Sequence, residues 1–258
     1  MVLRPIELAT RTTEDFVSAW DMVMRLQKQP FTECWMITQP SHAALAGQIA
    51  ARLIGPEFPQ LDPELVRAIA LHDSGWGMPD AQAVMSSRSV AANRPRSFLE
   101  MSVAEFLNAW KQSIEIAQAG STTGGYMVSR HFWRLAAHWA KVNGGHSADN
   151  NLMKLFLEQE TKRETRLSQK QGRTEEELEA LTDVLQFCDL LSLYLCSGAR
   201  DNAEFPSYCG VKARLTLEED RCHLEPALLQ PGSQFKVAAL RHPATKTLSG
   251  QEIEIRFE

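Results

Sequence analysis

The last long helical segment of this 258-residue chain is apolar on every side in its second half, and this feature constrains the fold most. The segment begins at the capping residue Thr174, ends at Gly198, and is almost wholly apolar over residues 185–195. A helix without a polar face has to be enclosed by other elements, so we predict that this one lies at the centre of the fold. Asp189 lies in the middle of the apolar run, where a carboxylate needs a hydrogen-bond partner or a cation.

Capping residues and apolar spacing predict a mainly helical chain. Helices are expected to begin near residues 12, 43, 62, 102, 126, 150 and 174. Between residues 77 and 96 the periodicity is lost, and Pro79 and Pro95 indicate a long irregular connection of the kind that often forms a lid or a wall. The pair Gly124-Gly125 indicates a turn.

The character of the chain changes after residue 211. Segments 212–218, 221–225, 235–240 and 252–257 alternate in polarity or are rich in β-branched residues, and turn signals separate them at 219–220, 231–233 and 249–250. We therefore predict a small antiparallel sheet. The expected organisation is a helical metal-binding domain over residues 1–205, followed by a small β extension over residues 206–258 that packs on it.

Composition excludes several classes of protein. Hydrophobic residues make up 44% of the chain and charged residues 23%, which is typical of a globular protein. The net charge of −5 provides no general attraction to nucleic acid or to an anionic membrane, so neither is an expected partner. No signal peptide and no run of about eighteen apolar residues is present, which predicts a cytoplasmic protein. The five cysteines include no C-x-x-C pair, so we expect reduced thiols.

The dipeptide His72-Asp73 places a nitrogen and an oxygen donor side by side at the end of a short helix capped by Asp62. Fraying in the last turn of that helix lets the two side chains swing toward one point. Together with His42 and Asp189, they predict a metal site. Imidazole and carboxylate donors without cysteine favour iron, manganese or zinc, and four protein ligands leave room for a water molecule.

The helix that begins near residue 126 carries a polar stripe formed by His131, Arg134 and His138 at i, i+3 and i+7. His131 is expected either to bind a second metal ion or to be a hydrogen-bonded core histidine. Arg134 is expected either to clamp a phosphate or to form an ion pair at the edge of the core. His138 is expected to be structural or exposed, and Trp76 is expected to be a packing residue.

The order His42, His72-Asp73, Asp189 resembles that of the HD-domain superfamily of metal-dependent phosphohydrolases. This resemblance implies a mainly α, HD-domain-like helical bundle, here with a small C-terminal antiparallel β extension, in which these four residues bind a divalent cation. A closer resemblance, to a bacterial family called domain of unknown function 3891, spans about residues 33–200. Ser74 stands where that family suggests an acidic or amide residue. The blocks that carry this resemblance are Gln39-Pro40-Ser41-His42-Ala43, His72-Asp73-Ser74-Gly75-Trp76, Pro95-Arg96-Ser97-Phe98, Ser129-Arg130-His131-Phe132 and Asp189-Leu190-Leu191-Ser192-Leu193.

Three functions follow as hypotheses. The first is a phosphohydrolase that acts on a small phosphate ester or nucleotide-like compound through a metal-activated water, with Asp73, His131 and Arg134 serving the reaction. The second is an HD-type oxygenase in which two iron ions activate dioxygen, with His131 among the ligands. The third is a binding or signalling module without turnover. The sequence specifies neither the substrate nor the oligomeric state.

Overall fold

The computed structural model describes residues 1–258 except 9, 89–93, 144, 146, 219–220 and 245–249. Two short 3₁₀ turns lie at Ser74–Trp76 and Phe98–Glu100. The helices are α1 (Ala19–Gln27), α2 (Gln39–Ala50), α3 (Pro63–Ala70), α4 (Gly77–Arg88), α5 (Val103–Gly120), α6 (Thr122–Val142), α7 (Ala148–Ser168) and α8 (Glu175–Ser197). The strands are β1 (Val2–Pro5), β2 (Val17–Ser18), β3 (Cys34–Ile37), β4 (Ala203–Tyr208), β5 (Val211–Glu218), β6 (Arg221–Glu225), β7 (Gln234–His242) and β8 (Gly250–Phe257).

The predicted fold class, a helical bundle with a small C-terminal antiparallel extension, is wrong. Across the described residues, eight strands form one mixed sheet in the order β1-β3-β7-β8-β6-β5-β4-β2. Strand β3 pairs with β1 on one side and with β7 on the other, so both ends of the chain contribute to the sheet. The pairs β2–β4 and β6–β8 are parallel. Local periodicity predicts single strands and contains no information about such distant pairing.

The four predicted C-terminal strands correspond to β5, β6, β7 and β8, whose bounds differ from the prediction by up to two residues. Side chains alternate between buried and exposed along β5, as expected for a strand with one face on the core. The predicted turn at 219–220, and residue 249 of another, lie outside the described residues. The predicted division at residues 205 and 206 falls inside β4 and stays a prediction.

Most helix starts follow their capping residues, but the helix predicted to begin near residue 12 begins at Ala19, after the short strand β2 and its cap Ser18. Asp62, Ser102 and Thr174 each accept a hydrogen bond from a backbone N–H in the first turn of α3, α5 and α8 respectively. The irregular connection predicted over residues 77–96 is wrong over 77–88, where α4 forms, and its residues 89–93 lie outside the described part of the chain. Pro79 lies in the first turn of α4, where a missing N–H breaks no helical bond.

The turn predicted at Gly124-Gly125 is also wrong, because both residues lie inside α6. A Cβ atom at Gly124 would lie 2.7 Å from Cβ of Ala68, and one at Gly125 would lie 2.7 Å from Cβ of Gln118. The two glycines therefore let α6 approach α3 and α5 more closely than side chains would allow.

Helix α8 lies in the core, as its apolar sequence predicts. It packs against α1, α2, α6, β1 and β4, and Phe187 and Tyr194 are fully buried. By length and composition α8 could cross a membrane, but 83% of its apolar window is buried inside the fold. This central position brings Asp189 to the place where α2, α6 and the turn after α3 meet.

Candidate metal centre

Four elements bring the predicted ligands together. His42 lies in the first turn of α2, which Thr38 caps by accepting a hydrogen bond from the backbone N–H of Ser41. His72 and Asp73 lie in the turn between α3 and the 3₁₀ turn that follows it. His131 lies on α6 and Asp189 lies on α8. All five side chains are buried.

Two of the distances between donor atoms are close to those expected around one cation. Nε2 of His42 lies 2.8 Å from Oδ2 of Asp73, and Nε2 of His72 lies 3.2 Å from Oδ1 of Asp189. Nε2 of His72 also lies 3.7 Å from Oδ2 of Asp73. Ligand atoms each about 2.1 Å from a shared cation are separated by roughly 3.0–3.4 Å in octahedral or tetrahedral geometry. One donor atom each from His42, His72 and Asp189 lie within 4.8 Å of one another.

His131 lies on the other side of Asp189. Its Nε2 atom is 3.7 Å from Oδ2 of Asp189, and its ring centroid is 5.6 Å from that of His72. The carboxylate of Asp189 thus has one oxygen near His72 and the other near His131. Nδ1 of His131 is buried and has no hydrogen-bond partner among the described residues. A fifth donor is therefore available for a second ion or for a substrate.

Hydrogen bonds outside the cluster fix which nitrogen of each ring faces inward. The hydroxyl of Ser192 donates to the backbone oxygen of Asp189 at 2.8 Å, so its oxygen has to accept from Nδ1 of His42, 3.0 Å away. Nδ1 of His72 lies 2.8 Å from the backbone oxygen of Ile69, which can only accept. Both Nδ1 atoms therefore carry a proton, and in a neutral ring each Nε2 atom presents a lone pair to the cluster.

These lone pairs have a consequence for the charge of the site. A bare Nε2 atom beside a carboxylate oxygen is repulsive unless positive charge lies between them, and this holds for His42 with Asp73 and for His72 with Asp189. A proton on the ring or a shared cation supplies that charge. Imidazole nitrogens and carboxylate oxygens with oriented rings are the donors that divalent first-row cations bind, so the residues present fit such an ion.

The electrostatic environment of the cluster favours positive charge in the same way. Burial lowers the pKa of His72, but the charge of Asp73 and the hydrogen bond and charge of Asp189 outweigh it and raise this pKa to about 9. Burial raises the pKa of Asp189, whereas the hydrogen bond from His72 and the neighbouring imidazoles bring it down to about 2. Burial lowers the pKa of His131 to about 4, which keeps its ring neutral at pH 7.

Arg134 is not part of this cluster. Its guanidinium forms ion pairs with Glu179 and with Asp183, the latter at 2.7 Å, and hydrogen bonds to Gln186. The residue therefore links α6 to α8, and a phosphate would have to compete with two carboxylates for it. The role of phosphate clamp stays a prediction without a contact to support it.

The turn that carries His72 and Asp73 is held against α5 by its glycine. The backbone N–H of Gly75 donates to the hydroxyl of Ser113 at 2.9 Å. A Cβ atom at Gly75 would lie 2.0 Å from the backbone oxygen of Ala109. Only glycine therefore allows the turn to lie this close to α5, and this contact sets the position of the two ligands.

A cavity of about 570 Å³ opens onto the cluster, with His42, Asp73, His131 and Asp189 in its wall. Gln39 and Trp76 also line it; Trp76 was predicted only to be a packing residue, and Gln39 was not assigned a role. Ser192, which orients His42, was missed as well. Its position three residues after Asp189 places both on one side of a helix, which is the signal that could have identified it.

One family model matches most of the chain. It is described as a protein of unknown function (DUF3891), and it matches residues 22–231, which include every predicted site residue. No curated protein and no solved structure matches the chain.

Proposed function

This chain belongs to the DUF3891 family of proteins of unknown function, and from the chemistry of its site we propose that it is a metal-dependent phosphohydrolase. One observation carries the proposal. The Nε2 atoms of His42 and His72 face the carboxylates of Asp73 and Asp189 at the wall of a cavity large enough for a small substrate. The relation to HD-domain phosphohydrolases belongs to the same proposal and rests on the order of these four residues.

We assign the binding of one divalent cation, iron, manganese or zinc, to His42, His72, Asp73 and Asp189. When bound, such a cation lowers the pKa of a water molecule and stabilises negative charge on phosphoryl oxygens. Asp73 also lines the cavity, so its carboxylate can accept a hydrogen bond from the attacking water and orient it. The substrate is proposed to be a small phosphorylated molecule.

His131 is proposed to act on the substrate. It lines the cavity beside Asp189, and its low pKa makes it a neutral hydrogen-bond donor near pH 7. A donor aimed at a phosphoryl or leaving-group oxygen stabilises charge that develops during the reaction. Arg134 is proposed to act indirectly, because its ion pairs with Glu179 and Asp183 hold the helix of His131 against the helix of Asp189.

The test begins with protein purified without added metal, whose metal content is measured by elemental analysis. The protein is then loaded with Mn²⁺, Fe²⁺ or Zn²⁺ and assayed on phosphomonoesters, phosphodiesters and nucleotides. We expect turnover that requires a cation and that is lost in His72→Ala. Failure of every loaded form to release phosphate or alcohol from any of these esters would contradict the proposal.

One observation favours a second candidate, a di-iron oxygenase. The two oxygens of Asp189 lie near different histidines, His72 and His131, which is the arrangement of a carboxylate shared by two ions. This candidate is supported if the protein retains two irons per chain and consumes dioxygen, while no phosphate ester is hydrolysed. Iron content and oxygen uptake measured on the same preparation separate the two candidates.

A further inference from the structure

The walls of the cavity above the metal centre are apolar. Aromatic rings and long aliphatic side chains come from α1, α5, α6, α7, α8 and the segment around the second 3₁₀ turn. They include Trp20, Met24, Phe98, Trp110, Trp139 and Leu193. A ligand that fills this space has to place an apolar surface against them, because a polar one would lose its hydration without compensation.

The buried polar groups of the cavity lie around the metal centre. Besides the ligands, Gln39 and Trp76 contribute side chains that are 3% and 1% exposed. Oε1 of Gln39, Nε1 of Trp76 and Nδ1 of His131 are buried without a hydrogen-bond partner in the described part of the chain. Buried polar atoms normally have partners, so these three mark where a ligand places its polar end.

The charge of the cavity excludes highly anionic ligands. Among the described lining residues, the basic side chains outside the metal centre are Lys28 and His138, and both are exposed at the rim. A nucleoside diphosphate or triphosphate needs several cationic or N–H groups along its phosphates. A single phosphate at the metal centre needs no more than the cation and the unpaired donors beside it.

We infer that the substrates are phosphate monoesters of apolar alcohols, alkyl or aryl, with the phosphate at the metal centre and the hydrocarbon between Trp20, Met24 and Trp139. This inference rests on the proposed phosphohydrolase function and names its substrate class. In the reaction a bond forms between the water oxygen and phosphorus. The ester bond between phosphorus and oxygen breaks, and the alcohol leaves with a proton from the water.

The first experiment is a chain-length series on the Mn²⁺-loaded protein: ethyl, butyl, hexyl and octyl phosphate, with AMP and glucose 6-phosphate as polar comparators. Each methylene group taken from water into an apolar pocket raises kcat/KM by about fourfold. We expect this increase from ethyl to hexyl phosphate and slower turnover of both comparators. A flat series, or a preference for AMP, would overturn the inference while leaving the phosphohydrolase function in place.

A pair of variants on α6 tests whether the cavity causes the chain-length dependence. Trp139 lines the cavity, whereas Trp133 lies on the same helix outside it and donates a hydrogen bond to Thr161. We expect Trp139→Ala to lower kcat/KM for hexyl phosphate by about tenfold or more and to flatten the series. Trp133→Ala should keep the series steep. An equal effect of the two changes would overturn the assignment of the hydrocarbon site.

Binding without turnover separates this inference from the proposed function. Calorimetric titration with ethyl-, butyl- and hexylphosphonate, which cannot be hydrolysed, should give a Kd that falls by about fourfold per methylene group. If no ester is hydrolysed but the Kd falls in this way, the phosphohydrolase proposal fails and the apolar ligand class stands. If the Kd does not change with chain length, the ligand class fails whatever the activity.

Discussion

Nε2 of His72 lies 3.2 Å from Oδ1 of Asp189, although the two residues are 117 positions apart in the chain. This contact joins the turn after α3 to the middle of the most buried helix. The rest of the cluster is arranged around it, since His42 and His131 also lie within 4 Å of the Asp189 carboxylate. Three imidazole rings therefore surround the negative charge of the Asp189 carboxylate.

Replacing Asp189 should remove the cation. Asp189→Asn keeps the volume of the side chain but not its negative charge, so we expect cation affinity to fall by on the order of 10²-fold or more. Asp189→Ala should also lower the free energy of unfolding by about 1–3 kcal/mol, because His72 loses its partner. Elemental analysis and chemical denaturation measure the two effects.

The matched control is Asp183→Asn. Asp183 lies on the same helix but pairs with Arg134 and accepts a hydrogen bond from the backbone N–H of Cys209. Its replacement should leave the metal content unchanged. Full metal occupancy in Asp189→Asn would rule out Asp189 as a ligand.

Ser192→Ala should weaken cation binding without unfolding the protein. The hydroxyl of Ser192 keeps the proton of His42 on Nδ1, and loss of an orienting group of this kind typically costs about 10–100-fold in metal affinity. Ser197→Ala is the control, because Ser197 is equally buried and donates to the backbone oxygen three residues earlier at the same 2.8 Å. Equal metal affinity in the two variants, measured by competition with a chelator, would refute the orienting role.

Gly75→Ala should destabilise the protein and displace His72 and Asp73. The added methyl group would meet the backbone of α5, which cannot move aside, and such overpacking costs about 1–3 kcal/mol or more. Gly77→Ala, two residues on, meets nothing within 4 Å and should change the free energy of unfolding by less than about 1 kcal/mol. Denaturation curves for the two variants test this contrast, and equal stabilities would contradict it.

The stability of the protein should depend on Glu164 between about pH 4.5 and 7. Burial raises the pKa of this carboxyl from 4.5 to about 7, with Arg130 opposing the shift and Glu160 adding to it. The folded protein therefore binds a proton more tightly than the unfolded chain, so this contribution decreases stability as pH rises through the window and is constant above it. This shift in pKa corresponds to a change of at most about 3 kcal/mol in the free energy of unfolding.

Glu164→Gln removes the titrating group. The Tm of the wild type relative to this variant should therefore fall as pH rises from about 4.5 to 7. Thermal unfolding at several pH values measures the difference. Parallel profiles for the two proteins would show that Glu164 titrates normally in the fold.

The features that the sequence predicted are those set by neighbouring residues. The caps Asp62, Ser102 and Thr174 determine helix starts through bonds to residues three positions away, so they could be identified locally. The position of α8 followed from its composition. The grouping of His42, His72, Asp73 and Asp189 came from a resemblance in their order, because no local rule brings residues 42 and 189 together.

The features that were missed depend on elements far apart in the chain. Gly124 and Gly125 have the sequence of a turn, and only the approach of α3 and α5 explains why they lie inside a helix. The ion pairs of Arg134 were an open alternative that the sequence could not decide against a phosphate contact. The pairing of β3 with β1 and β7 has no local signature at all.

The pairing of β3 with β7 also determines the order in which the protein can be completed on the ribosome. Register places Cys34 opposite His242, so β3 has no partner on one edge until β7 has been synthesised. During that time Cys34, Met36 and Ile37, all buried in the finished fold, have to be shielded from other nascent chains. Every predicted metal ligand emerges before β7 does, so the elements of the metal centre are available before the sheet can close.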